Sequence, residues 1–155
     1  MNPIAHDIKN HCLRLLARRE HSQKELLTKL LQKGFSRGEI EPVLQELAEN
    51  NWQSNARFAE NYARARLRKG YGATAIRYEL NQKGIDVAAT NLNDVLLTVA
   101  DNWLDLLTQT YCKKYGEIEP LTPQDWAKRT QFLLRRGFSS SQIQQFAKKL
   151  RFIYS

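Results

Sequence analysis

Three segments of the chain superpose without a gap: LTKLLQKGFS, RYELNQKGID and TQFLLRRGFS. Each has a leucine four residues before a glycine (Leu30, Leu80, Leu133) and a cation directly before it (Lys33, Lys83, Arg136). An apolar residue follows the glycine (Phe35, Ile85, Phe138), and then a capping residue (Ser36, Asp86, Ser139). The glycine accepts the left-handed conformation that ends a helix, and the apolar residue beyond it folds back onto the helix end. The capping residue opens the next helix. Gly34, Gly84 and Gly137 stand about 50 residues apart, the length of a three-helix unit. The signature therefore predicts an all-α chain of three tandem three-helix repeats, at residues 1–51, 52–101 and 102–155. One such unit alone buries little surface, so neighbours should share contacts in an elongated, curved array. A single compact nine-helix domain is the competing architecture.

The rest of the chain agrees with helix almost throughout, since β-branched residues are sparse and never alternate over a strand length. Pro3 opens a first helix whose apolar face is Ile4, Ile8, Cys12, Leu15 and Leu16. Ser22 with Glu25 and Ser36 with Glu39 read as capping boxes. They start helices with stripes Leu26, Leu27, Leu30, Leu31 and Ile40, Val43, Leu44, Leu47; Asn50 and Asn51 end the latter. In the second round a helix from Ala56 to Lys69 and a turn from Gly70 to Gly72 lead into a helix from Ala73 to Lys83. Asp86 is placed to cap a further helix, with Val87, Leu92, Val95, Leu96 and Val99 available for burial. The third round has a helix near Trp103–Tyr115, one capped by Thr122 with Pro123 at its first position, and one capped from Ser139 to Gln142.

A net charge of +8 over 155 residues points toward a polyanion or an acidic protein surface as partner; a merely solvated basic surface is the plainer alternative. No run reaches the roughly 20 apolar residues of a membrane span, and the N-terminus lacks a signal-peptide pattern. Cys12 and Cys112 are isolated, as expected of reduced, half-buried thiols in a cytoplasmic protein. His6, His11 and His21 lack metal-ligand spacing, and no histidine is placed as a base for either cysteine. The expectation is therefore no enzyme, no metal and no cofactor. Gly70-Tyr71-Gly72-Ala73-Thr74-Ala75 fits a loose dinucleotide fingerprint, but that motif must follow a strand, and a helix precedes it here.

The most charged stretch is RFAENYARARLRKGYGATAIRYEL, Arg57 to Leu80. On a helical wheel Arg57, Asn61, Arg64 and Arg68 form one narrow stripe, opposite Phe58, Ala59, Tyr62 and Ala63. Arg66 falls among the apolar residues, where a charge is costly unless paired. It is therefore expected to be structural, paired with a carboxylate such as Glu79. Arg57, Arg64 and Arg68 are the better candidates for a partner surface, with a solvated helix face as the alternative. From Asn102 onward nine Lys and Arg stand against four acids, interleaved with Trp103, Tyr111, Tyr115, Trp126 and Phe132. Such aromatics can stack on bases, but at helical spacing they are more often core.

The chain resembles the RecX family, regulators of the recombinase RecA, over nearly its whole length. The resemblance is carried by LLARREHSQKELLTKLLQKGF, by the W…KKYG of Trp103 to Gly116, and by FLLRRGF at Phe132 to Phe138. Most specific is the middle segment, similar to the family's RFA…R.R…GYG…I..EL pattern. At Asn50 to Asn55 the chain departs from a family glycine and acidic turn, which leaves the exit from the third helix open. The resemblance implies tandem three-helix repeats. It also implies a protein that lies in the groove of the RecA–DNA filament and blocks filament extension or promotes disassembly, lowering ATP hydrolysis, strand exchange and co-protease activity; a monomer with DNA as a secondary partner is the expectation. It gives no contact map. The candidates for RecA or DNA binding, Arg57, Arg64, Arg68, Lys69, Arg77, Lys128, Arg129, Arg135 and Arg136, rest on charge and pattern. The competing function is a helix-turn-helix-like module that acts by competing for DNA.

Overall fold

The computed structural model describes residues 2–86, 94, 96, 102–116 and 121–154, with side chains as far as residue 150. Among these residues it contains eight helices and no strand: α1 (Pro3–Arg18), α2 (Gln23–Gln32), α3 (Arg37–Glu49), α4 (Asn55–Arg68), α5 (Ala73–Gln82), α6 (Trp103–Tyr115), α7 (Pro123–Arg135) and α8 (Ser140–Tyr154). The helix expected after Asp86 lies largely outside the described residues; Asp94 and Leu96 are helical, and Leu96 is buried.

The repeated signature closes helices as its chemistry predicts. Gly34, Gly84 and Gly137 have φ of 100°, 80° and 96°. In each round the residue after the glycine donates its amide back to the leucine carbonyl: Phe35 to Leu30 at 3.3 Å, Ile85 to Leu80 at 3.0 Å and Phe138 to Leu133 at 3.1 Å. The glycine amides donate to Leu31, Asn81 and Leu134, completing a Schellman closure. Two further helices end the same way. Gly70, at φ 87°, closes α4 with Tyr71 bonded to Arg66. Asn51, at φ 61°, closes α3 with Trp52 bonded to Leu47. Asparagine, the residue other than glycine that enters this conformation most readily, thus settles the exit from α3.

The helix starts are equally local. Ser22 with Glu25 and Ser36 with Glu39 form reciprocal capping boxes. Ser139 and Gln142 do the same ahead of α8. Thr122 caps α7 with Pro123 in its first turn.

The chain divides into two compact units, residues 1–62 with 80–92, and 63–79 with 93–155, so the division falls within α4 and within α5. In the first unit α1 and α2 both pack on α3. Its core holds Ile8 and Cys12 from α1, Leu26 and Leu30 from α2, and Ile40, Val43, Leu44 and Leu47 from α3. Two residues expected on apolar stripes are instead exposed, Ile4 at 41% and Leu31 at 40%. Neither belongs to the buried cluster of this unit. Cys12 is fully rather than half buried, and burial pushes its thiol up to about 11, so it is not a thiolate at neutral pH.

Gln53 is 2% exposed and ties the entry to α4 to the α1–α2 corner. Its amide donates to the His21 carbonyl at 3.2 Å and to Asn55 Oδ1 at 3.0 Å. The same Asn55 oxygen accepts from the Gln23 amide.

In the second unit α8 packs on α6 and α7. The core is Leu107, Tyr111, Phe132, Leu133, Phe138, Ile143, Phe146 and Leu150. The aromatic residues of this third of the chain are largely structural. Tyr111 lies with its ring 5.0 Å from Phe146 and 5.2 Å from Tyr115, and Tyr115 meets Phe132 edge-on.

Candidate functional site

The second unit builds its cationic surface on one close backbone approach. The Gly72 amide donates to the Arg136 carbonyl at 2.6 Å, and the Thr74 amide donates to the Gly137 carbonyl at 3.0 Å. The unpaired amides that open α5 thus satisfy the unpaired carbonyls that end α7, with the two helix dipoles head to tail. Only glycine fits there: a Cβ on Gly72 would stand 2.5 Å from the Gly137 oxygen, and one on Gly137 would strike Ala75. Helices stand on both sides of Gly70-Tyr71-Gly72, so the glycines serve helix packing, not a strand-to-helix nucleotide turn.

Arg66 is fixed on this scaffold as the wheel predicts. Its Nε and Nη2 donate to Glu79 at 2.9 and 2.7 Å, a bidentate pair with side chains 21% and 25% exposed. Its guanidinium lies 3.6 Å from the Tyr71 ring centroid. Arg136 lies over the same ring at 4.6 Å, and its Nη1 donates to the Lys69 carbonyl at 2.9 Å. Arg136 is therefore held by a carbonyl and by aromatic faces, which orient its charge without cancelling it.

Beside it opens a cleft of about 750 Å³. Arg64, Arg68 and Lys69 line it from the end of α4, Lys113 and Lys114 from the last turn of α6, and Arg136 from the end of α7. Leu67, Leu106 and Phe132 form its apolar part, and among the described residues no carboxylate lines it. Among the described residues Arg68, Lys69, Lys113, Lys114 and Arg136 have no ion-pair partner. Five of the six cations in the cleft thus leave a net positive field in the concavity, able to hold a polyanion or an acidic surface. Helix C-termini bring these residues together, and cations in the last turn of a helix are favoured by its dipole.

Four of the nine sequence candidates, Arg64, Arg68, Lys69 and Arg136, meet in this cleft. Arg57 belongs to the first unit, where its Nε pairs with Glu20 at 3.0 Å and its Nη2 donates to the Asn51 carbonyl at 2.6 Å. Arg129 donates to the Tyr111 hydroxyl at 2.7 Å and lies 4.4 Å from the Tyr115 ring centroid. Arg77, Lys128 and Arg135 are exposed outside the cleft lining. Sequence reasoning counted Lys113 and Lys114 as charge but did not place them. The signal was there in part, since two cations end a helix; the packing of Thr110, one turn before Lys114, against Gly70 is visible only in the structure.

No group of three metal-ligating side chains occurs among the described residues, and no helix among them is long and apolar enough to cross a membrane.

Comparison with known proteins places this arrangement. Three family models match in order: RecX, first three-helix domain, over residues 9–47; the second over 54–89; and the third over 100–146. The chain is 39% identical over 142 residues to the regulatory protein RecX of Legionella pneumophila (strain Corby), covering 92% of this chain and 93% of that one. It is 36% identical over 140 residues to the regulatory protein RecX of Halorhodospira halophila, covering 90% and 86%. Among solved structures, RecX from Lactobacillus salivarius shares the fold with a TM-score of 0.75 at 21% identity, covering 96% of this chain and 97% of that one.

Proposed function

The chain belongs to the RecX family, and from that premise we propose that it acts on the RecA–DNA filament, limiting filament extension and lowering ATP hydrolysis, strand exchange and co-protease activity. On this reading the chain is a cytoplasmic monomer of three repeats, 1–51, 52–101 and 102–155. Its work is binding rather than catalysis, in keeping with relatives named as regulatory proteins.

The observation that carries the reading is the cleft of the second unit: six cations and, among the described residues, no lining carboxylate. A filament wound on DNA presents phosphates along its groove, and each phosphate neutralised releases condensed counterions. Arg68, Lys69, Lys113 and Lys114 are exposed on the cleft rim, so they reach a backbone without first breaking an ion pair. Arg57 is kept here as a secondary contact, because its guanidinium is shared with Glu20.

The same cleft also favours the second reading, in which the protein competes for DNA. The RecA ATPase on single-stranded DNA separates the two. Inhibition at substoichiometric protein supports action on the filament. Inhibition only when the protein exceeds the DNA sites supports competition. No inhibition of a cognate recombinase refutes action on the filament.

A further inference from the structure

The first unit carries a smaller cationic cleft, of about 530 Å³, between α1 and α2. Arg14 and Arg18 line it from α1, with Lys29 from α2 and Lys33 just beyond it. Among the described residues no carboxylate lines it, and none of these four cations has an ion-pair partner. In a protein that forms ion pairs elsewhere on this same unit, as Lys9 does with Glu46 and Arg37 with Glu41, four unneutralised cations around one concavity hold a strong local field.

Two of the four, Arg14 and Arg18, repeat the register of cations in the other cleft. The first two rounds of the repeat align at a spacing of 50 residues, as Leu30 with Leu80 and Gly34 with Gly84 show. At the same spacing Arg14 corresponds to Arg64 and Arg18 to Arg68. Arg18 and Arg68 are both the last residue of their helix, where the helix dipole favours a cation.

Lys29 is positioned rather than free to wander. His21 is 2% exposed, and its Nδ1 lies 3.0 Å from the Arg19 carbonyl. The ring therefore donates from Nδ1 and accepts at Nε2, where the Lys29 ammonium stands at 3.2 Å. A neutral acceptor fixes the ammonium and leaves its charge for a ligand.

We propose that the α1–α2 cleft is a second binding site for the phosphodiester backbone of single-stranded DNA, with Arg14, Arg18, Lys29 and Lys33 as its phosphate contacts. A backbone fits better than an acidic protein. Among the described residues the only aliphatic ones lining the cleft are Leu15 and Leu30, and Leu30 is 1% exposed, so this lining lacks the apolar anchor on which protein interfaces centre. The site needs no recombinase and goes beyond the regulatory reading above, so it is tested without one.

The experiment is anisotropy of a labelled oligo(dT) titrated with the full chain over a salt series. For single strands the slope of log affinity against log salt changes by about 0.7 per phosphate contact. Arg18→Gln with Lys33→Gln should therefore lower the slope by about 1.4. Arg68→Gln with Lys113→Gln should lower it by a similar amount independently. Arg18→Lys keeps the charge and should keep the slope, which separates loss of a contact from loss of folding. An unchanged slope in the Arg18/Lys33 variant, with its melting temperature retained, overturns the proposal. So does a slope loss that Arg18→Lys reproduces.

Discussion

The Glu25 corner of the first unit and the Arg136 cleft of the second treat their cations in opposite ways. At the corner, Arg19 makes a bidentate contact with Glu25 at 3.2 and 3.0 Å, Lys83 approaches at 3.4 Å, and the Ser22 amide donates to the same carboxylate. Burial would raise the Glu25 pKa; the Arg19 and Ser22 hydrogen bonds and the charges of Arg19 and Lys83 outweigh it, and the carboxyl is held down at about 2. In the cleft, Arg136 is held by a carbonyl and two aromatic rings. A cation answered by a carboxylate joins pieces of the fold. A cation answered by neutral groups keeps its charge for a partner.

The largest effect should come from the backbone contact beneath the cleft. Gly137→Ala forces a Cβ into Ala75 at φ 96°, combining left-handed strain with overpacking, for about 4 kcal/mol of stability. Gly34 has the same role in its own helix end, but nothing lies within 4 Å of its would-be Cβ. Gly34→Ala should therefore cost only the conformational part, about 1 kcal/mol. Urea denaturation of the two variants measures the difference; equal losses would mean that the α5–α7 approach contributes nothing.

Next comes the corner. Glu25 is ordinarily near 4.5 when unfolded and about 2 when folded. Its stabilisation is fully present above pH 4.5 and is lost as pH falls toward 2, a contribution of about 3.4 kcal/mol at full strength that solvent screening reduces to about 2 kcal/mol. Glu25→Gln should lower stability at pH 7 and flatten the acid limb of the stability curve. An acid limb identical to that of the parent would remove Glu25 from the account.

Smaller again is the contrast within α4. Arg66→Ala should cost about 1.5 kcal/mol, since it breaks a half-buried bidentate pair and leaves Glu79 behind. Arg64→Ala should cost less, and thermal melting of the two variants decides between them. Equal small shifts would put Arg66 with the surface arginines. The smallest effect on stability should be that of Arg68→Gln with Lys113→Gln, within about 0.5 kcal/mol, although the pair should change binding most.

What could be read in the sequence follows from how local the physics is. The Schellman closures, the capping boxes and the Arg66–Glu79 pair depend on spacings inside one or two helices, and each was legible. Asn51 in place of glycine was legible as a helix end but not as a left-handed residue. The cleft was legible only as excess charge. It requires Lys113 and Lys114 to meet residues that precede them by more than 40 positions, and no periodicity within one helix encodes that. The Gly72–Gly137 approach was hidden for the same reason, since each glycine already had a local explanation. Ile4 and Leu31 show the converse: an apolar residue on the right face is buried only if the neighbouring helix reaches it.

The measurement closest to the centre of the account is RecA ATPase on single-stranded DNA, with the parent protein and the Arg68→Gln/Lys113→Gln variant compared at the same substoichiometric concentration. Strong inhibition by the parent and little by the variant, with equal melting temperatures, is the expected result. A folded variant that inhibits as well as the parent would contradict it, and so would a parent that does not inhibit at all.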